Sequence, residues 1–262
     1  MVVVWNGFSD SCSSDVFGYF VDSYNRVAQL ILTITKAELD LAARLAEQAY
    51  DDAIPGAFKY ESKIGACAYL YKHDDKQYVI YRGTNSAIDW AANASCFPWR
   101  VSGKWVHAGF AISQKSVWKP IRKQLDPAKV TYCIGHSLGG ASATIAALRL
   151  LGHGFAKDKI KLVTFGRPNV MWRAKAPAGL GCNVSVVSGS DIVAVIPRLL
   201  TASPDQDIIY CGNDDKDYLN PPKEFRDQDR RSHLKELISD HMMDTSYKPR
   251  VENLDLENLC VI

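Results

Sequence analysis

Apolar and polar positions along this chain fall into blocks whose period changes from helical to strand-like and back. The first 34 residues carry little pattern. Thr35-Lys36-Ala37-Glu38 then reads as a capping box, and Leu39, Ala42, Ala43, Ala46, Ala49 and Tyr50 recur at helical spacing, which predicts one amphipathic helix ending near Asp51. Two short strands are expected over 64–71 and 77–82, joined by the polar turn His73-Asp74-Asp75-Lys76. Residues 83–105 are mixed, and 109–125 reads as a helix anchored by Phe110, Val117 and Ile121.

The strongest change of period comes next. An apolar strand from Tyr132 stops at Gly135-His136-Ser137-Leu138-Gly139 and resumes as a helix that meets no charge until Arg149. Further strands are expected over 160–165, 183–187 and 207–211, whereas 212–231, charged and containing Pro221-Pro222, reads as an exposed loop. Apolar runs alternating with helices imply βαβ units, hence an α/β fold with a mainly parallel central sheet and helices on both faces. We expect one domain over 1–262, with 1–34 packed on it as an extension. Ligands of such sheets bind beyond the carboxyl ends of the strands.

Composition narrows the classes. The 262 residues are 47% hydrophobic and 23% charged, ordinary for a globular enzyme, and the net charge of +2 on scattered Lys and Arg argues against nucleic acid as a partner. Seven cysteines form no Cys-x-x-Cys pair and read as reduced and structural, with one or two bridges if the protein is exported. The sequence has no zinc-ligand spacing, P-loop or dinucleotide fingerprint, so neither a metal nor an organic cofactor is expected. The first basic residue is Arg26, and the opening run is too short for a secretory leader. That tilts the reading toward the cytosol, although a mature secreted form would also lack its leader.

The Gly-x-Ser-x-Gly between strand and helix places Ser137 on a sharp turn that holds a serine in unusual backbone angles and lifts its hydroxyl toward substrate. A serine hydroxyl needs a base to become nucleophilic, and the base needs an acid to fix its tautomer. Sheets with this turn carry the three in the order serine, acid, histidine. Asp191, just past the 183–187 strand, is the best acid, and the competing role for it is to cap the segment 192–196. Only His233 and His241 follow it; spacing leaves both open, and pattern favours His241. His73, His107, His136 and His153 precede the acid and read as solvent or structural residues.

With these residues on the page, the chain resembles the lipases of the fungal, class 3 type. The matching blocks run from 43–50 through Tyr81-Arg82-Gly83-Thr84, Asp89-Trp90, Val106-His107-Ala108-Gly109-Phe110, 135–140, Thr164-Phe165-Gly166-Arg167-Pro168, Asp191-Ile192-Val193 with Pro197, and Asp240-His241 with Tyr247. The resemblance implies an α/β-hydrolase fold and an ester-hydrolysing triad of Ser137, His241 and Asp191. It also implies an oxyanion hole formed by Thr84 and the Leu138 N–H, and a lid over about 85–99. On that lid Ile88 and Trp90 would meet lipid, while Phe97 and Trp99, with Trp105, would either line an acyl groove or belong to the core. It further implies an acylglycerol as substrate, with phospholipids and short-chain or feruloyl-type esters as alternatives, and transient contact with a lipid interface. A catalytically silent lipid- or partner-binding module is the reading from another class. The chain departs from the family before Thr35 and over 212–231.

Overall fold

In a computed structural model, the protein is described over residues 34–84, 97–172, 180, 182–196, 201–202, 207–233 and 239–262. Helix α1 (Lys36–Gln48) begins at the expected capping box: the Thr35 side chain accepts from the Glu38 N–H, and the Glu38 carboxylate accepts from the Thr35 N–H. Strands β1 (Phe58–Glu61), β2 (Cys67–His73) and β3 (Lys76–Tyr81) follow as an antiparallel set. Next come β4 (Pro98–Val101), β5 (Lys104–His107), α2 (Ala108–Arg122), β6 (Val130–His136), α3 (Leu138–Gly152) and β7 (Ile160–Phe165). The chain continues as β8 (Met171–Trp172), β9 (Cys182–Ser188), β10 (Thr201–Ala202), β11 (Asp207–Cys211), β12 (Asp217–Leu219), α4 (Lys223–Ser232) and α5 (Lys248–Asn253).

The main sheet has eight strands in the order β1-β2-β3-β6-β7-β9-β11-β12. Its centre, β3-β6-β7-β9-β11, is parallel throughout, as the alternating pattern predicts, and only the two margins are antiparallel. A right-handed crossover must return each parallel strand over one face, so helices cover both. Leu39, Ala42, Ala43 and Ala46 of α1, with Tyr247 and Val251, bury one face against Ile80, Ile134, Val163 and Val184. Val117 and Ile121 of α2, with Ala143, Ala147 and Leu150 of α3, bury the other against Val79, Cys133 and Leu162. A small second sheet, β10-β8-β5-β4, packs beside α3 through Val101, Val106 and Met171.

Two expectations need correction. Residues 212–231 are not an exposed loop: they supply β12 and most of α4. Among the ten residues of α4 only Phe225 is apolar, so no hydrophobic stripe marked it. Its attachment runs instead through Phe225, edge-on to Tyr210 and tilted against Tyr218, and through the buried guanidinium of Arg230. The mixed stretch 83–105 likewise contains the β4–β5 hairpin. The strands over 160–165 and 207–211 kept their predicted limits, the others moved by one to three residues, and β1, with three of its four positions exposed, escaped the reading. The expected extension, apart from Ile34, and residues 85–96 of the expected lid lie outside the described residues. The five described cysteines, Cys67, Cys133, Cys182, Cys211 and Cys260, carry free thiols.

Candidate active site

Parallel strands that start in register end in register, so β3, β6, β7 and β9 deliver their next residues to one edge of the sheet. Thr84 follows β3, Ser137 follows β6 and Asp191 follows β9 by three residues. At Ser137 the chain reverses from strand to helix with φ 57° and ψ −129°, a strained conformation that costs on the order of 1–3 kcal/mol. The strain is held from both sides. The Ser137 N–H donates to the Phe165 carbonyl at 2.9 Å, and α3 lies so close to β3 that a Cβ on Gly139 would collide with the Tyr81 carbonyl.

Ser137 Oγ lies 2.9 Å from His241 Nε2, and His241 Nδ1 lies 2.9 Å from Asp191 Oδ2. Three residues remote in sequence thus form one continuous hydrogen-bonded line. His233 is not part of it: half-exposed at the end of α4, it turns its Nδ1 toward Ser232 Oγ and the Asp229 carbonyl. The two roles weighed for Asp191 prove compatible, because Oδ1 accepts from the Val193 N–H at 2.7 Å while Oδ2 faces His241.

A second layer surrounds the line. Tyr247 donates its hydroxyl to Asp191 Oδ2 at 2.5 Å and accepts from the Ser188 N–H. Burial, reinforced by the Asp191 charge, raises its pKa well above that of a free tyrosine, so it stays a donor. His136 sits with its Nε2 2.6 Å from the His241 carbonyl oxygen and its Nδ1 2.7 Å from the Tyr50 hydroxyl. A carbonyl can only accept, so Nε2 carries the proton and Tyr50 donates to Nδ1. Burial, and then the charge of neighbouring His241, hold the His136 pKa well below the ordinary histidine value. On the far side, Arg230 Nε donates to the Asp191 carbonyl, the Ser190 N–H donates to Asp240, and Tyr210 donates to the Gly189 carbonyl. The turn that carries the acid is therefore fixed by α4 and the C-terminal segment together.

Comparison with known proteins places this geometry. A family model described as Lipase (class 3) matches residues 78–201. The chain is similar to the class 3 lipases over these residues, just under half of its length. It is 29% identical over 165 residues to a secreted mono- and diacylglycerol lipase from Fusarium solani, covering 57% of this chain and 48% of that one. It is 35% identical over 105 residues to a lipase from Rhizomucor miehei, covering 36% and 29%. The matched region thus spans about half the length of the first relative and under a third of the second. A lipase from Rhizopus microsporus var. chinensis superposes with a TM-score of 0.58 at 24% identity, over 68% of this chain and 76% of that one. These likenesses establish the α/β-hydrolase fold.

Thr84 and Leu138, expected at the oxyanion position, are half-buried and both line a groove of about 550 Å³ with Ile64, Phe97, Ile112 and Ser142. Leu138 opens α3, where the N–H has no partner within the helix and the helix dipole favours negative charge. Phe97 is 44% exposed on the groove wall, and Trp99 is exposed rather than in the core. Ile88 and Trp90 lie outside the described residues. Ser137 itself is 0% exposed. Sequence reading named Tyr50, His136 and Tyr247 but assigned them no part in orienting the line, and it passed over Arg230. Their roles come from contacts between distant segments, which no local pattern records.

Proposed function

We propose that this chain is a serine carboxylic-ester hydrolase acting on acylglycerols. The observation that carries the reading is the unbroken line from Ser137 Oγ through His241 to Asp191, with 2.9 Å at each junction. In this mechanism Ser137 Oγ attacks the ester carbonyl as His241 Nε2 takes its proton, and Asp191 holds the imidazole and steadies its positive charge. The Leu138 N–H and Thr84 face the oxygen that becomes negative, where each donor contributes about 3 kcal/mol to lowering the barrier. Collapse of the tetrahedral intermediate expels the alcohol, protonated by His241, and leaves an acyl-serine. Water, deprotonated by the same histidine, then releases the acid. Since Ser137 is fully buried, substrate entry requires neighbouring groups to move. The sheet running unbroken from β1 to β12 supports reading the chain as one domain.

Acylglycerols are favoured over other esters because relatives such as the Fusarium protein are mono- and diacylglycerol lipases. A fluorophosphonate probe should label the wild type and not Ser137→Ala. A series of nitrophenyl esters, glycerides and phospholipids should give the highest kcat/KM on glycerides. His241→Ala should abolish turnover, while His233→Ala should leave it within about twofold of the wild type. Absence of labelling would favour a silent binding module, and turnover confined to phospholipids or feruloyl esters would move the substrate class.

A further inference from the structure

The histidine that faces Ser137 stands on a segment with little structure of its own. Ser239–His241 is a single short turn, closed by the Met242 N–H on the Ser239 carbonyl at 3.2 Å. Asp191 stands on another, closed by its own N–H on the Ser188 carbonyl at 3.1 Å. Yet the two side chains meet at 2.9 Å, and a misplacement of about 1 Å costs such chemistry on the order of a hundredfold. Something other than the turns themselves must set the spacing.

Asp240 spans the two turns. Its Oδ2 accepts from the Ser190 N–H at 3.0 Å, so the residue before His241 is bonded to the residue before Asp191. Asp240 is 7% exposed and Ser190 0%, which shelters the bond from water. A side chain that only caps its own turn accepts from an N–H two or three residues on. Among the described residues Asp240 has no such donor, and its partner lies 50 residues away. A buried carboxylate also needs a counter-charge. Arg250 of α5 supplies it, with Nη2 3.7 Å from Asp240 Oδ1, while Nη1 donates to the carbonyls of Cys211 and Gly212 at 3.4 and 3.2 Å. Cys211 ends β11, the neighbour of β9 in the sheet, so Arg250 refers the carboxylate to the strand beside the one that carries the acid. Ser246 and Tyr247 also reach the acid turn, but from beyond His241 rather than beside it.

We propose that Asp240 is a positioning residue for ester hydrolysis: by bonding Ser190, with Arg250 behind it, it sets the spacing between Asp191 and His241. It touches neither substrate nor the proton in transit and acts through the two groups that it aligns. This inference rests on the ester-hydrolase reading for its purpose, but the spacing is read without turnover.

The experiment compares Asp240→Ala, Asp240→Asn and Arg250→Met with the wild type. Asparagine keeps an oxygen for the Ser190 N–H, and alanine does not. On a soluble ester, Asp240→Ala should lower kcat at least about tenfold with KM within about twofold, and Asp240→Asn should stay within about threefold of the wild-type kcat. Proton NMR reads the spacing directly, because the Nδ1–H of a buried histidine bonded to a carboxylate resonates far downfield and exchanges slowly. That resonance should be present in the wild type and in Asp240→Asn, and lost or moved in Asp240→Ala. Arg250→Met leaves Asp240 and both turns their side chains; it should lower kcat about threefold and move the same resonance by less. A kcat and a resonance unchanged in Asp240→Ala, even with a lower urea midpoint, overturn the proposal. So does an asparagine variant as impaired as the alanine one. If Asp240→Ala does not fold, Arg250→Met decides, and no change in its kcat or resonance overturns the proposal. A wild type that shows the resonance but turns over no ester sinks the hydrolase reading, and the resonance of the variants still tests the spacing.

Discussion

The His136 and His241 rings lie 4.7 Å apart between centroids, tilted by 33°, and the Nε2–H of the first meets the backbone carbonyl of the second at 2.6 Å. The residue before Ser137 therefore holds the main chain of the histidine that faces Ser137. A glutamine amide can donate from about the position of Nε2, whereas asparagine reaches only as far as Nδ1. We expect His136→Asn to lower kcat at least about tenfold with KM little changed, and His136→Gln to recover part of the loss. Steady-state kinetics of the two variants on a soluble ester check this.

The same residue makes stability depend on pH. The folded state holds the His136 pKa well below its ordinary value, so the unfolded chain binds the proton more readily. The contribution of neutral His136 is complete above the unfolded histidine pKa of about 6.5 and is lost as pH falls below it. Urea midpoints between pH 7 and 5 should fall more steeply for the wild type than for His136→Gln.

Tyr247 bonds the oxygen of Asp191 that also faces His241. Tyr247→Phe removes a buried hydrogen bond to that carboxylate and leaves the Ser188 N–H without its acceptor. The expected loss is about 1.5–3 kcal/mol of folding stability, read by urea unfolding, together with a fall in kcat as Asp191 orients His241 less tightly.

Arg230 is 3% exposed and ties α4 to the acid turn through the Asp191 carbonyl. Arg230→Met keeps the apolar stem and removes the donor. Hydrogen exchange should show faster opening of 188–193 in this variant, and turnover should drop while α1 and β2 keep their protection. Unchanged exchange at that turn would mean that α4 does not brace it.

Gly139 admits no side chain, since its Cβ would meet the Tyr81 carbonyl. Gly139→Ala should destabilise the fold by about 3 kcal/mol or more, because the obstruction is backbone and cannot rotate away. Thermal unfolding against the wild type measures it.

Much of this could be read along the chain, and the reasons differ by element. The capping box at Thr35, the strand of 160–165 and the Ser137 turn are local: each depends on residues within a turn of one another, and each stands where its pattern places it. Helix α4 was illegible because it is held by one aromatic ring and one guanidinium rather than by a stripe. Asp191 could be picked by its place after a strand, but its double use, Oδ1 on Val193 and Oδ2 on His241, needs both partners in view.

The sequence by itself determined the alternation that makes a parallel sheet, the glycines that permit the turn at Ser137, and the order serine, acid, histidine. Those follow from backbone sterics and periodicity, which act over a few residues. Only the tertiary structure set His241 rather than His233 against Ser137, buried that serine, and brought Tyr50, His136 and Tyr247 around the line. Hydrogen bonds and exclusion of water act on distance in space, and 104 residues of chain separate Ser137 from the histidine it touches.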